Sequence, residues 1–359
     1  MEFTLGVRLE VRITPGDVGR RVSVRTRTEP GSGARFTDTV GVLTAWKDGA
    51  LTVTRRDGTP VALAESALVA AKVVPSAPAR RPGTPAAGVA ELTRAAARAW
   101  PARESERIGG WLCRAGGGWT NRANCAVPDG ANGTDGRDGT DDLPDSDLER
   151  IVAWYAARGL PALIHVPTGG AGGRELLAER LEGLGWRAEK PAVVKVAPLA
   201  PLADRPPDPR VELGRELTDR WLRGYPNAHR DEAAARLLLP AGPSVRFATV
   251  AAPSADAPAG DTPAGGGPEP QRNERPAAVG RCVVDGRWAG FAAIEVAPDQ
   301  RRQGLARAVM AELARAALAE GASFAHLQVE RDNAPAHALY ARLGFTDHHH
   351  YHYRRAPLG

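Results

Sequence analysis

The run Val296-Ala297-Pro298-Asp299-Gln300-Arg301-Arg302-Gln303-Gly304-Leu305-Ala306 constrains this chain more than any other stretch. Before it, Phe291 to Val296 is a short apolar segment of the kind that forms a buried strand. After it, Leu305 to Glu320 has the amphipathic period of a helix. A strand, an Arg- and Gly-rich turn and a helix N-terminus together make a phosphate-binding construction. The first-turn N–H groups lack intrahelical partners and the helix dipole adds partial positive charge there. Gly304 and Ala306 leave room for a phosphate to approach the backbone. Arg301 and Arg302 add charge-assisted hydrogen bonds.

This run resembles the acyl-CoA pyrophosphate loop of the GNAT superfamily of N-acetyltransferases, Gln/Arg-x-x-Gly-x-Gly/Ala, matched by Arg301, Gly304 and Ala306. Downstream stands Asn333-x-x-Ala336-x-x-Leu339-Tyr340-x-x-Leu343-Gly344-Phe345, beyond an expected strand over Phe324 to Val329 and in the order that superfamily uses. The resemblance implies acetyl-CoA as co-substrate, held by Arg301, Arg302, Gln303, Gly304, Leu305 and Ala306. It also implies that backbone groups at Ile294, Glu295 and Val296 face the pantetheine arm, and that Asn333 bonds the pantetheine or caps its helix. Tyr340 matches the family's usual general acid for the departing thiolate; its alternative is packing, since Ala336, Tyr340 and Leu343 share a helical face. Glu295 is the candidate base, with a surface carboxylate as the alternative; Asp285 and Glu330 are poorer candidates.

The 359 residues exceed an ordinary single domain. Of 47 basic residues only Lys47, Lys72, Lys190 and Lys195 are lysine. Arginine in that excess, amid abundant Ala, Gly and Pro, reflects coding bias, so a net charge of +5 is poor evidence for nucleic-acid binding. Cys113, Cys125 and Cys282 are odd in number and lack a metal-site spacing. The opening MEFTLGVRLEVRI has no signal-peptide pattern and no apolar run approaches membrane-spanning length. A cytoplasmic protein with no membrane partner is the expectation.

Residues 1–75 alternate apolar and polar in short segments (Arg21 to Arg25, Val40 to Leu43, Leu51 to Thr54), with Asp48-Gly49 and Asp57-Gly58 as turns. They predict a small β-barrel similar to the SH3-like module that precedes some actinobacterial histone-acetyltransferase-like proteins. Docking or oligomerisation suits it better than chemistry; Arg25 and Arg27 share a strand face, but aromatic stacking partners are sparse. A Pro-rich linker spans 76–89, and 129–142 and 252–276 are low-complexity loops. The expected units are thus the barrel at 1–75, the linker, a degenerate GNAT-like half at 90–205 and a catalytic GNAT domain at 206–359. The fold class is α+β or α/β: a barrel followed by tandem mixed sheets with flanking helices.

The repeat rests on an echo. Leu181-Glu182-Gly183-Leu184-Gly185-Trp186 parallels the run Leu339 to Phe345, each expected to end a helix before a strand. In the first copy an expected strand from Trp119 to Val127 runs into Pro128-Asp129-Gly130 and acidic residues, without the Arg/Gly loop. Acyl-CoA therefore belongs to the second copy alone. His348-His349-His350-Tyr351-His352 reads as a terminal strand whose neighbouring side chains face opposite ways, which argues against a metal site. The resemblance implies transfer of the acetyl group to a primary amine, of a protein lysine or of a small molecule. The rival function is an inactive acyl-CoA-binding regulatory module whose barrel binds a partner, and the oligomeric state is open.

Overall fold

The computed structural model describes residues 10–28, 36–74, 85–129, 143–170, 172–252 and 275–357. Most of the expected loops at 129–142 and 252–276 and of the linker falls outside the described residues.

Near the N-terminus β1 (Arg21–Arg27), β2 (Phe36–Lys47), β3 (Ala50–Arg55), β4 (Pro60–Ala64) and β5 (Leu68–Val73) form an antiparallel sheet in the order β4-β3-β2-β1-β5. Alternation does the work here: β1 buries Val22, Val24 and Thr26 and turns Arg21, Ser23 and Arg25 outward. Leu63 from one sheet edge and Ala71 from the other join Val22, Val24, Leu43, Leu51 and Val53 in one core, so the sheet curls upon itself. The charge of Arg25 is taken up by Asp38 on the neighbouring strand, at 2.7 Å.

The first half of the chain beyond the linker contains α1 (Val89–Ala99), β6 (Glu104–Ile108), β7 (Trp111–Ala115), β8 (Val127–Pro128), α2 (Asp145–Ala156), β9 (Leu163–Thr168), α3 (Glu175–Gly183) and β10 (Arg187–Pro198). The second contains α4 (Ala200–Ala203), β11 (Val211–Gly214), α5 (Asp219–Arg223), α6 (Glu232–Leu238), β12 (Ser244–Val250), β13 (Ala278–Asp285), β14 (Trp288–Val296), α7 (Leu305–Ala319), β15 (Phe324–Glu330), α8 (Ala334–Arg342) and β16 (Thr346–Arg355). One difference from expectation is local. Trp119 to Val127 forms no long strand: a 3₁₀ turn occupies Asn121–Ala123, Ala126 makes a single parallel bridge to Ile164, and the strand proper is only Val127–Pro128. The cause is Asn124, whose Oδ1 accepts from Gly116 and Gly118 N–H at 2.8 and 2.9 Å while its Nδ2 donates to the Thr120 carbonyl at 2.7 Å. A side chain satisfying the backbone in this way displaces the ladder.

The two halves are interlocked. Eight strands run β11-β12-β13-β14-β15-β10-β16-β9. The last strand of the first half, β10, lies between β15 and β16, and the last strand of the second, β16, lies between β10 and β9, all antiparallel. Each half thus donates its final strand into the other, with β10 and β16 side by side. The echoed helix ends agree, with Gly185 and Gly344 both left-handed at φ +81° and +85°. Helix α7 lays Leu305, Val309, Met310, Leu313, Ala314 and Ala317 onto the sheet, in a core shared with Phe291, Leu327 and Phe345.

Candidate active site

Strand β14 sets the geometry. It pairs with β15 in parallel only from Trp288 to Phe291. Beyond that the two strands part, and Ala292 to Val296 are half-buried where the expectation was a buried run. On its other side β14 shifts register against β13, between Val279 and Arg281, and Ala293 takes φ +52°. An extra residue at a bulge sharpens the local twist and turns the strand end away from its neighbour. Ile294, Glu295 and Val296 lie on this parted segment, where the β15 side of the backbone lacks a ladder partner among the described residues.

The segment leads through a 3₁₀ turn at Pro298–Gln300 to the start of α7. Gly304 caps that helix at φ +79°, and a Cβ placed on it would meet nothing within 4 Å, so the space before the helix is open. Arg301, Arg302, Gln303 and Gly304 are exposed, while Leu305 is buried beneath them. Neither arginine has an ion-pair partner among the described residues, and the first turn of α7 contains no acid. The corresponding helix of the first half, α2, carries Asp145 and Asp147 in its first turn. These donors and charges suit a pyrophosphate at α7 and oppose one at α2.

Tyr340 and Glu295 come from different elements, and the charge of Glu295 reaches the Tyr340 phenol. Tyr340, on α8, is half-buried against the main core and meets Phe345 edge-on at 5.7 Å. Burial, aided by the charge of Glu295, pushes its phenol up to about 12, with Arg122 pulling the other way. Burial likewise raises the Glu295 carboxyl, offset by Arg301 and Arg275. Asn333 caps α8, its Oδ1 accepting from Ala336 N–H at 3.1 Å. Asp285 is engaged by Arg98 and Glu330 lies near Lys190, at 3.8 Å.

Two residues linked to these groups by charge escaped the sequence reading, Arg122 and Tyr225. Arg122 comes from the first half, and its charge acts on the phenols of Tyr351, Tyr353 and Tyr225 as well as on Tyr340. Tyr225 follows α5 and feels the charge of Glu295. No sequence pattern marks an arginine in a chain so rich in them. Buried His349 and His352 alternate with Tyr351 and Tyr353 along β16. Among the described residues no group of three His, Cys, Asp or Glu could hold a metal ion. Burial pushes the Cys113 and Cys282 thiols up to about 12 and Cys125 up to about 11, leaving them inert at neutral pH.

A mixed sheet whose central parallel pair splays beside an Arg/Gly helix start defines the GNAT class of N-acetyltransferases. A structure of a GCN5-related N-acetyltransferase from Kribbella flavida shares the fold, with TM-score 0.50 and 17% identity over 76% of this chain and 98% of that one. A family model described as probable histone acetyltransferase Rv0428c C-terminal matches residues 86–354, and one described as the Rv0428c N-terminal Sm-like domain matches 16–72. The chain is 32% identical to the probable histone acetyltransferase Rv0428c of Mycobacterium tuberculosis over 94% of its own length and 95% of that protein. It is 24% identical to the uncharacterized N-acetyltransferase YobR of Bacillus subtilis, over 74% of this chain and 98% of that one. The chain belongs to the Rv0428c family of GNAT-type acetyltransferases. The family description makes the N-terminal unit Sm-like, a small departure from the SH3-like expectation.

Proposed function

We propose that the protein transfers the acetyl group of acetyl-CoA to a primary amine by direct attack within a ternary complex. The amine belongs to a protein lysine, as the name of the mycobacterial relative suggests for that protein, or to a small molecule. The carrying observation is the parted end of β14, which bears Glu295, beside the open, acid-free N-terminus of α7. Bound there, acetyl-CoA would supply the thioester; Arg301 to Ala306 would hold its pyrophosphate, and the backbone at Ile294 and Val296 its pantetheine.

Glu295 takes a proton from the incoming ammonium, or through water, and the free amine attacks the thioester carbon. The C–S bond breaks as the Tyr340 hydroxyl gives its proton to sulfur, and the extra proton on the acylated nitrogen passes through water to the Tyr340 phenolate, leaving a neutral amide and a thiol. The two residues cooperate. The negative charge of Glu295 helps keep the Tyr340 proton in place. Once Glu295 is protonated that hold is lost, so the phenol becomes a better acid as the thiolate departs. The units 1–75, 90–205 and 206–359 joined by 76–89 belong to the same proposal, with the donor on the last and the middle unit facing the acceptor.

Tyr340→Phe tests the scheme, because only a hydroxyl is lost. Thiol release should fall by about 10²-fold or more while affinity for acetyl-CoA holds. Normal turnover in this variant would remove Tyr340 from the mechanism.

A further inference from the structure

Arg281, on β13, is fully buried, and among the described residues no carboxylate lies within ion-pair distance of it. Its guanidinium donates instead to the carbonyls of Leu239, Ala99 and Ala241 at 2.7, 2.8 and 2.8 Å, and lies 5.2 Å from the centre of the Trp100 ring. Ala99 is the last residue of α1 and Leu239 follows α6, so two of these oxygens belong to helix ends. Such carbonyls lack intrahelical donors and stand at the negative end of the dipole, which suits a buried cation. The planar guanidinium presents its donors as a fork that serves all three oxygens, whereas a lysine ammonium is a single point. Arg281 thereby ties a helix of the first half to one of the second.

That anchor sits beside the bulge. Arg281 opposes Ala292, and Val279 opposes Glu295. Between those pairs β13 has one residue, Gly280, and β14 has two, Ala293 and Ile294. The consequence is a change of face. Ala292 and Ala293 both pack on the cluster that contains Trp221, Tyr225 and Val279, whereas Ile294 packs on the core beneath α7. Directly opposed residues share a face, so Glu295 emerges on the side of Val279 and Arg281. Strict alternation from Ala292 would instead send Ile294 to that side and Glu295 beneath α7. Gly280 guards the bulge from the other face: a Cβ there would stand 2.4 Å from Val309 Cγ1 and 3.0 Å from Ile294 Cδ1. The Trp221 indole N–H donates to the Gly280 carbonyl at 3.1 Å, so the one unopposed residue of β13 keeps its acceptor bonded.

We propose that Arg281 is the positioning residue that fixes this bulge and so decides which face of the sheet Glu295 presents. Its bond to Ala99 gives the first half a part in placing the base. This role rests on the reading of Glu295 as that base.

Two readouts on the full-length protein test this, one of them independent of turnover. Glu295→Cys places a new thiol at a half-buried position, while Cys113, Cys125 and Cys282 are buried. Dithiobis(nitrobenzoate) should label one thiol per chain, and adding Arg281→Lys should slow that labelling by about 10-fold or more, as position 295 turns beneath α7. Gly280→Ala, which presses on the bulge from the opposite face, should slow it likewise. With Glu295 in place, Arg281→Lys should lower kcat/KM by about 10²-fold and flatten its rise with pH, because a displaced carboxylate no longer meets the amine. A residue that only stabilises the fold would lower Tm and leave the labelling and the profile as they are. Failure of Glu295→Cys to label, or labelling that neither second substitution slows, would overturn the proposal. The single variant keeps Arg281, so its result stands even if the double variants misfold. Slowed labelling beside full activity in Glu295→Gln would reject the base while sparing Arg281; an inactive Glu295→Gln with unaltered labelling would do the reverse.

Discussion

At the scale of single residues, Glu295 makes the sharpest commitment. Its carboxyl is held above the ordinary range by burial, against the pull of Arg301 and Arg275. A base works in its ionised form, so kcat/KM should climb as pH rises through that elevated value and then level off. Glu295→Gln should lower kcat/KM by about 10²-fold to 10⁴-fold and remove the climb, checked by pH–rate profiles of both proteins. An unchanged profile would make Glu295 a bystander. With its phenol pushed up to about 12, Tyr340 stays protonated through neutral pH and should impose no falling limb there.

At the scale of elements, the bulge in β14 opens the strand pair. Ala293 stands there at φ +52°, a conformation that a β-branched side chain resists. Ala293→Val should cost about 1–3 kcal/mol, seen as a lower Tm, and should weaken acetyl-CoA binding if the splay re-forms imperfectly. Ala293→Gly should keep both. Equal melting for the Val and wild-type proteins would show that the bulge is not held in this way. Much of this element was legible in sequence: Trp288 to Val296 is the observed strand, and the arginines and Gly304 marked the helix start. What eluded the sequence was nonlocal. Nothing in Arg187 to Pro198 says that this strand inserts between β15 and β16, because a strand's partners depend on residues far along the chain. The turn at Asn121–Ala123 depends on hydrogen bonds to Asn124, and hydrophobic period is blind to those. Glu295 could be placed on its strand, but its raised pKa comes from burial that only the folded chain provides.

Across the whole molecule, the N-terminal sheet is attached to the strand that both halves share. Arg56 donates to the Asp347 and His348 carbonyls at 3.1 and 2.8 Å, and its own carbonyl accepts from the Thr168 hydroxyl at 3.1 Å. Asp57 faces Arg331 at 3.5 Å, and Gly58 lies against the His352 ring. Removing the guanidinium in Arg56→Ala should cost about 1.5–3 kcal/mol, read as a lower Tm, with acetyl-CoA affinity retained because α7 is not touched. An unshifted Tm would mean that these bonds contribute nothing net to holding the two parts together. The interlocked halves have unequal fates: one keeps an acid-free helix start at Gly304, the other has Asp145 and Asp147 in its place. The central claim, that only the second binds acetyl-CoA, is tested most directly by titration calorimetry with acetyl-CoA on the intact protein and on Gly304→Asp. The account predicts one site per chain and loss of all binding in the variant, whereas two sites, or binding unimpaired by the new carboxylate, would contradict it.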